Sequence, residues 1–312
     1  MVVMNWSSWW SSIFPASAIA QASLDWPATA ETPEGELAQG RAVFDPAMSH
    51  FVKGYRASEP VFSDAVQASD FRKARLGLLT EMLALLGGSR FRDQLVLRGS
   101  AAMPMWVGFH ARDPHDLDFV VVPADVSIDG DVGKELFIGL AALVAEATFT
   151  HAKMIAARPT VSDIWTYDRV PGRRLVFHWQ VGDLPWGALQ LDFVFNEPLP
   201  MPPRRIEQLG LLTAAPELSL AWKLLWLHTD AHLCAKDLYD AVVLAENYSV
   251  GRSIVEDVFA LAGEPMPTTF SGIMTSHLEW VGVDCPPDAE SVGTEWRRRL
   301  FVALPWLASH SS

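Results

Sequence analysis

Two stretches decide how this chain is read: Leu95-Val96-Leu97-Arg98-Gly99-Ser100, and, after a spacer of fifteen residues, Asp116-Leu117-Asp118-Phe119. The apolar triplet Leu95–Leu97 predicts a short buried strand. A glycine and a serine directly after it let the backbone approach a ligand closely, and their amide and hydroxyl donors would stand at a helix start, where phosphate is favoured. Asp116 and Asp118 flank Leu117 at strand spacing, so both carboxylates leave the same face of one strand. Neighbouring hard oxygen ligands are what Mg²⁺ selects, and without a cation the two charges repel. The pattern therefore predicts a third carboxylate on an adjacent strand.

Asp192 meets that expectation. It lies in Leu189-Gln190-Leu191-Asp192-Phe193-Val194-Phe195, an otherwise apolar strand in which a lone carboxylate would be costly. Three carboxylates on neighbouring strands can hold two Mg²⁺ ions, one activating an attacking hydroxyl and one carrying a triphosphate and its leaving pyrophosphate. Taken singly, each element has a plainer reading: Gly99-Ser100 as a turn, Asp116 and Asp118 as a solvated strand end, Asp192 as half of a structural ion pair. Their order and spacing together favour a phosphoryl-transfer site.

Around this core the chain alternates elements. Phe71, Ala74, Leu76, Leu79, Met82, Leu83 and Leu86 recur at helical steps from about Asp64, and Gly87-Gly88 closes the run. Strands are expected at Leu117–Val122, Leu175–Val181 and Ala188–Phe195, the last two joined as a hairpin by Gly182-Asp183-Leu184-Pro185. A helix is expected over 133–147. After the linker-like stretch Pro198–Pro203 come helices at about 216–229, 236–247 and 252–262, and another around Arg297-Arg298-Arg299. The fold class is α/β of the α+β kind: a small mixed sheet flanked by helices, followed by a helical C-terminal domain. The expected domains are a weakly structured lead-in at 1–55, a core at 56–200 and the helical part at 201–312. Trp6, Trp9, Trp10 and Trp26 in the lead-in predict that part of it docks on the body.

Composition bounds the function. The 312 residues are 50% hydrophobic, enough for a sizeable core, and 24 Lys and Arg against 37 Asp and Glu leave a net charge of −13. That balance opposes non-specific attraction to nucleic acid, but a local rim of Arg169, Arg173, Arg174, Arg204 and Arg205 would reverse the field at one site. Cys234 and Cys285 have no CxxC spacing and argue neither for a disulfide framework nor for structural zinc. No apolar run reaches membrane-spanning length and no basic residue precedes the mildly apolar start, so a cytoplasmic protein without a membrane segment is expected. His228 and His232 stand four apart, but a helix break near Asp230 makes them loop or surface residues. No Gly-x-Ser-x-Gly supports a serine hydrolase.

The Gly-Ser, spacer, Asp-x-Asp pattern is similar to the signature of DNA polymerase β-like nucleotidyltransferases. Within that superfamily, Leu97–Ala102 with Asp116–Phe119 resembles the AbiEii/AbiGii toxin family of abortive-infection and toxin–antitoxin systems. A second region strengthens the resemblance. Family members carry a helical lysine followed by a Lys-Asp-Leu-x-Asp-like motif, and this chain has Leu220-Ala221-Trp222-Lys223-Leu224-Leu225 and then Lys236-Asp237-Leu238-Tyr239-Asp240. The match runs from about 90 to 250. It departs from the family at Pro114-His115 and at Trp222, which bears on acceptor choice and nucleotide selectivity.

By itself, Lys223 on an apolar helix face needs a purpose, and it could meet a triphosphate as a point charge. Asp237 and Asp240 share a helix face. The resemblance implies that Lys236 and Asp237 face nucleotide or acceptor; the alternative is that Asp237 caps its helix and pairs with Lys223 or Lys236. It further implies an NTP substrate, an acceptor on tRNA or protein, and a neutralising antitoxin. A small-molecule acceptor, as in antibiotic-modifying enzymes, and a catalytically silent binding protein are the alternatives.

Overall fold

The computed structural model describes residues 26–30, 43–56, 58–155, 158–166, 170–230, 233–280 and 283–308. Trp6, Trp9, Trp10, Arg169 and His232 lie outside them. The chain divides into two compact units that interleave in sequence. One takes Pro114–Glu197, Arg205–Leu212 and the described residues before Arg98; the other takes Arg98–Asp113, Pro198–Arg204 and the described residues from Thr213 onward.

Among the described residues the elements run as follows. Short strands β1 (Val43–Phe44) and β2 (Tyr55–Arg56) pair antiparallel and precede helix α1 (Ala65–Gly87). Next come β3 (Leu95–Arg98), the short helix α2 (Met103–Val107), β4 (Asp116–Val121) and helix α3 (Asp131–Glu146). Strands β5 (Lys153–Met154), β6 (Thr160–Thr166), β7 (Val170–Gln180), β8 (Gly187–Val194), β9 (Arg204–Ile206) and β10 (Leu211–Thr213) follow. The remainder is α4 (Pro216–Thr229), β11 (Leu233–Cys234), α5 (Ala235–Asn247), α6 (Arg252–Ala262), α7 (Ser271–Thr275), β12 (Leu278–Glu279) and α8 (Ala289–Ala303). The eight-stranded sheet has the order β5-β7-β8-β4-β3-β10-β9, with β6 on the far side of β7. It is mixed: β4 and β8 run parallel, whereas β6, β7 and β8 form an antiparallel meander. Fold class and helical C-terminal part are as the sequence pattern led us to expect.

Strand alternation gives this sheet two different faces. Phe119 and Phe193 stack at 5.4 Å on one of them, and Phe137 of α3 meets Phe193 edge-on at 5.6 Å. Trp179 of the same face packs at 4.6 Å on Phe71 of α1, close beside Gly187, where an added Cβ would come within 2.4 Å of the indole. Helices α1 and α3 thus cover the apolar face. By the period of two, Asp116, Asp118, Arg174, Gln190 and Asp192 all project to the other.

α1 starts where the sequence marks it. Asp64 accepts from the backbone N–H groups of Val66 and Gln67, and Gly88 ends the run. In the second unit, α4 packs against α5 and α6, and α5 against α8. Leu220, Leu224, Leu238, Ala241, Leu244, Val255, Phe259 and Leu300 fill that core. No helix among the described residues is long and apolar enough to cross a membrane.

Candidate active site

The acidic row is built by strand register. Asp118 of β4 stands opposite Asp192 of β8, and Asp192 stands opposite Arg174 of β7. Neighbouring strands lie about 4.8 Å apart, so Asp118 and Asp192 are adjacent, and Asp116 is two residues along β4 on the same face. Asp116 and Asp118 are half-buried, while Asp192 is only 7% exposed. The three sequence-predicted carboxylates therefore come together on one sheet face.

Asp192 is not left to itself there. The Arg174 guanidinium holds it with both prongs, Nε donating to Oδ1 and Nη2 to Oδ2, each at 2.7 Å, and Gln190 Nε2 adds a 3.2 Å bond to Oδ2. Arg174 also reaches Asp45 Oδ2 at 2.8 Å through the same Nη2. Burial pushes the Asp192 carboxyl above the usual carboxylate range; Arg174 opposes this, and the neighbouring charges of Asp45 and Asp116 add to it. For Asp45 burial works the same way, but Arg174 and Arg56 prevail and hold its carboxyl below the usual value.

The donor chemistry and register of the row suit a hard divalent cation. The side chains nevertheless do not form a ligand cage: among the described residues, no group of three or more His, Cys, Asp or Glu is arranged to hold a metal ion. At Asp192 the physical reason is the Arg174 fork, which engages both carboxylate oxygens.

The Gly-Ser step follows directly on β3. Val122 N–H bonds to the Gln94 carbonyl at 2.9 Å, so β3 and β4 run in opposite directions and Leu97 lies at the level of Phe119. Gly99 has φ 70°, a left-handed conformation that a side chain would strain. Ser100, 3% exposed, opens a three-residue 3₁₀ turn that leads into the five-residue α2. This is a tight backbone turn rather than the head of a long helix, so the helix-dipole part of the phosphate argument is weak here.

In the helical unit Lys223 is 4% exposed. Its Nζ lies 2.6 Å from Asp237 Oδ1 and 3.0 Å from Asp240 Oδ2, and Arg112 grips Asp240 through Nε and Nη2 at 3.1–3.2 Å. Burial would lower the Lys223 pKa, but Asp237 and Asp240 raise it above the ordinary lysine value. Asp237 is pushed up by burial yet ends below its ordinary value, through Lys223 and then Lys236. The pairing of Lys223 with Asp237 is the contact that the sequence left open as an alternative to nucleotide binding. Trp222 lies under the Arg98 guanidinium at 5.2 Å, and Lys223 stands 5.0 Å above Trp226. His228 lies within the last helical turn of α4 and is exposed, so it is a surface residue but not a loop one.

The expected basic rim needs correction. Arg173 and Arg174 are 3% and 2% exposed, because strand alternation turns them into the two covered faces of β7, where Asp163 and Asp129 hold Arg173. Arg204 and Arg205 are exposed, and each is paired, with Glu217 and with Asp93. Sequence reasoning missed Arg112, Asp45 and Glu59. Glu59 bonds Arg75 and stands 3.2 Å from Nδ1 of His115, the residue before Asp116. Local sequence patterns do not reveal such partners, because Arg112–Asp240, Asp45–Arg174 and Glu59–His115 are each joined across more than forty residues.

A profile of the nucleotidyl transferase AbiEii toxin family, from type IV toxin–antitoxin systems, matches residues 82–271, more than half of the chain. No curated protein matches it. The matched span holds Gly99-Ser100, Asp116, Asp118, Asp192, Lys223 and Lys236–Asp240. The chain therefore belongs to the AbiEii family of nucleotidyl transferase toxins.

Proposed function

We propose that this nucleotidyl transferase moves an NMP from an NTP to an acceptor hydroxyl, using Asp116, Asp118 and Asp192 as its acidic machinery. The observation that carries the reading is the β4–β8 register, which sets Asp118 beside Asp192 with Asp116 on the same face. The acceptor oxygen bonds to the α-phosphorus, the α–β bridging bond breaks, pyrophosphate leaves, and the hydroxyl proton passes to the acidic row or to solvent. Bound there, Mg²⁺ would supply Lewis acidity for the attacking and leaving oxygens. Positioning and charge complementarity provide most of the acceleration in such transfers.

In the helical unit we assign nucleotide binding to Gly99, Ser100, Lys223, Lys236 and Asp237. Gly99 lets the backbone approach a phosphate, and Ser100 donates a hydroxyl. Lys236, half-buried and not needed to neutralise Asp240, is better suited to phosphate than the doubly bonded Lys223.

The acceptor we favour is an RNA end or a protein side chain, in a cytoplasmic protein held in check by an antitoxin. The net charge of −13 and the buried state of Arg173 and Arg174 keep the small-molecule acceptor as the second reading. Incubating the full chain with each of the four α-labelled NTPs, Mg²⁺ and total RNA, protein extract or an aminoglycoside panel separates them. Asp116→Ala should reduce transfer by about a hundredfold to a thousandfold, in line with loss of one charge-stabilising group. Full activity in that variant would remove the assignment.

A further inference from the structure

We infer that Asp45, acting through Arg174, is a positioning residue for Asp192, and that the segment Val43–Arg56 is a working part of the active site. This rests on the assignment of Asp192 to cation binding. It concerns a segment wholly outside the family-matched span, which begins at residue 82.

Val43–Arg56 is built to fix Asp45. Asp45 Oδ1 accepts from Ala47 N–H at 3.0 Å and caps a 3₁₀ turn over Pro46–Met48, while its own N–H donates to the Gly54 carbonyl at 2.8 Å. Met48 is fully buried, and a Cβ on Gly54 would come within 2.7 Å of the Met48 carbonyl oxygen, so only glycine closes this loop. Oδ2, the oxygen not used for capping, is the one that meets Arg174. Farther along the same layer, Thr29 bonds Ser162 of β6 through both N–H and Oγ1 at 3.2 and 3.0 Å, and Ser162 is the register partner of Arg174.

The row across the sheet is therefore Ser162, Arg174, Asp192, Asp118, with Asp45 bonded to Arg174 from outside the sheet. One guanidinium serves two buried carboxylates, and its Nη1 has no hydrogen-bond partner among the described residues. A guanidinium shared in this way aims the Asp192 carboxylate without neutralising it alone. With the Asp45 charge removed, Arg174 would belong to Asp192 only. That change both lowers the local negative charge and strengthens the competitor of a cation for the same oxygens, so both effects weaken divalent binding.

The test is a titration of the full chain with Mn²⁺ alone, read by electron paramagnetic resonance without nucleotide. Asp45→Asn keeps the shape and removes the charge; it should weaken Mn²⁺ binding about tenfold, the usual loss when a residue supporting a ligand is changed. Asp45→Glu keeps the charge and should stay within about threefold of the wild type, by the same reasoning on charge. Thr29→Val loosens the same layer without touching Asp45, and should leave Mn²⁺ affinity unchanged. Asp45→Ser carries the comparison should the asparagine variant not fold. Wild-type affinity in Asp45→Asn, with binding lost in Asp118→Asn, overturns the inference and leaves the cation assignment standing. So do equal losses in Asp45→Asn, Asp45→Glu and Thr29→Val, which mark a purely structural role. A wild-type chain that binds no Mn²⁺ removes the cation assignment and this inference with it.

Discussion

Each of the two units buries a cluster of opposite charges, and the clusters differ in how they are balanced. In the helical unit Asp237 and Asp240 are met by two directly bonded cations, Lys223 and Arg112, with Lys236 adding its field to Asp237. Among the described residues of the sheet unit one directly bonded cation, Arg174, serves both Asp192 and Asp45, with Arg56 adding its field to Asp45, and Asp192 also feels Asp116. A matched cluster is held by its own charges, and it stabilises only as long as all partners remain. A carboxylate-rich cluster is poised to take up positive charge from elsewhere. The contrast is a physical ground, separate from the sequence motif, for the cation proposed above in the sheet unit.

The sharpest way to break the contrast is to remove the hub of the matched cluster. Asp240 is fully buried and bonds both Lys223 and Arg112. Asp240→Ala should cost about 3–5 kcal/mol, since it leaves two cations inside the protein with one carboxylate between them. Urea unfolding followed by tryptophan fluorescence measures it; a loss near zero would mean that this cluster is as open to outside charge as the other. The corresponding change in the sheet unit is milder. Arg174→Lys keeps the charge but gives up the two-pronged grip on Asp192, and should cost about 1–3 kcal/mol.

The sequence made the sheet's centre legible and its supports illegible, for one physical reason. Asp116, Asp118 and Asp192 announce themselves because a charge inside an apolar strand violates the local pattern, and strand period fixes the face from which each leaves. The long helices, with their apolar steps and their Asp64 and Gly88 ends, are local signals too. Strand β6 escapes such a reading because Val161 and Ile164 are three apart and Ser162 points inward to Thr29, which blurs the alternation a strand should show. The assignment of Arg98–Asp113 to the helical unit depends on packing that no local pattern encodes. Asp45 and Glu59 are ordinary acids in sequence; what singles them out is a partner 129 residues away in the first case and 56 in the second, both distances being set by the fold.

Glu59 offers the smallest and most discriminating comparison, because it supports the same sheet unit from a more solvent-exposed position. Its side chain is 39% exposed, three times the figure for Asp45. Burial alone would raise its carboxyl, but the hydrogen bond with His115 and the Arg75 charge carry it down to about 2 from an ordinary 4.5. A carboxylate whose pKa is depressed by folding adds stability that is complete above its unfolded value and disappears as pH falls through the folded one. The Glu59 contribution should therefore be present at neutral pH and fade between about pH 4.5 and 2. Comparing wild type with Glu59→Gln in urea melts at pH 7 and pH 3 isolates it, the gap being wider at pH 7. Solvent screens a half-exposed pair, so half-molar salt should narrow that gap, whereas the difference between wild type and Arg174→Lys, buried within the sheet unit, should hardly respond. Equal salt sensitivity in the two would mean that the Arg174 cluster is wetted, and that burial is not what separates the aimed carboxylate Asp192 from an ordinary surface acid.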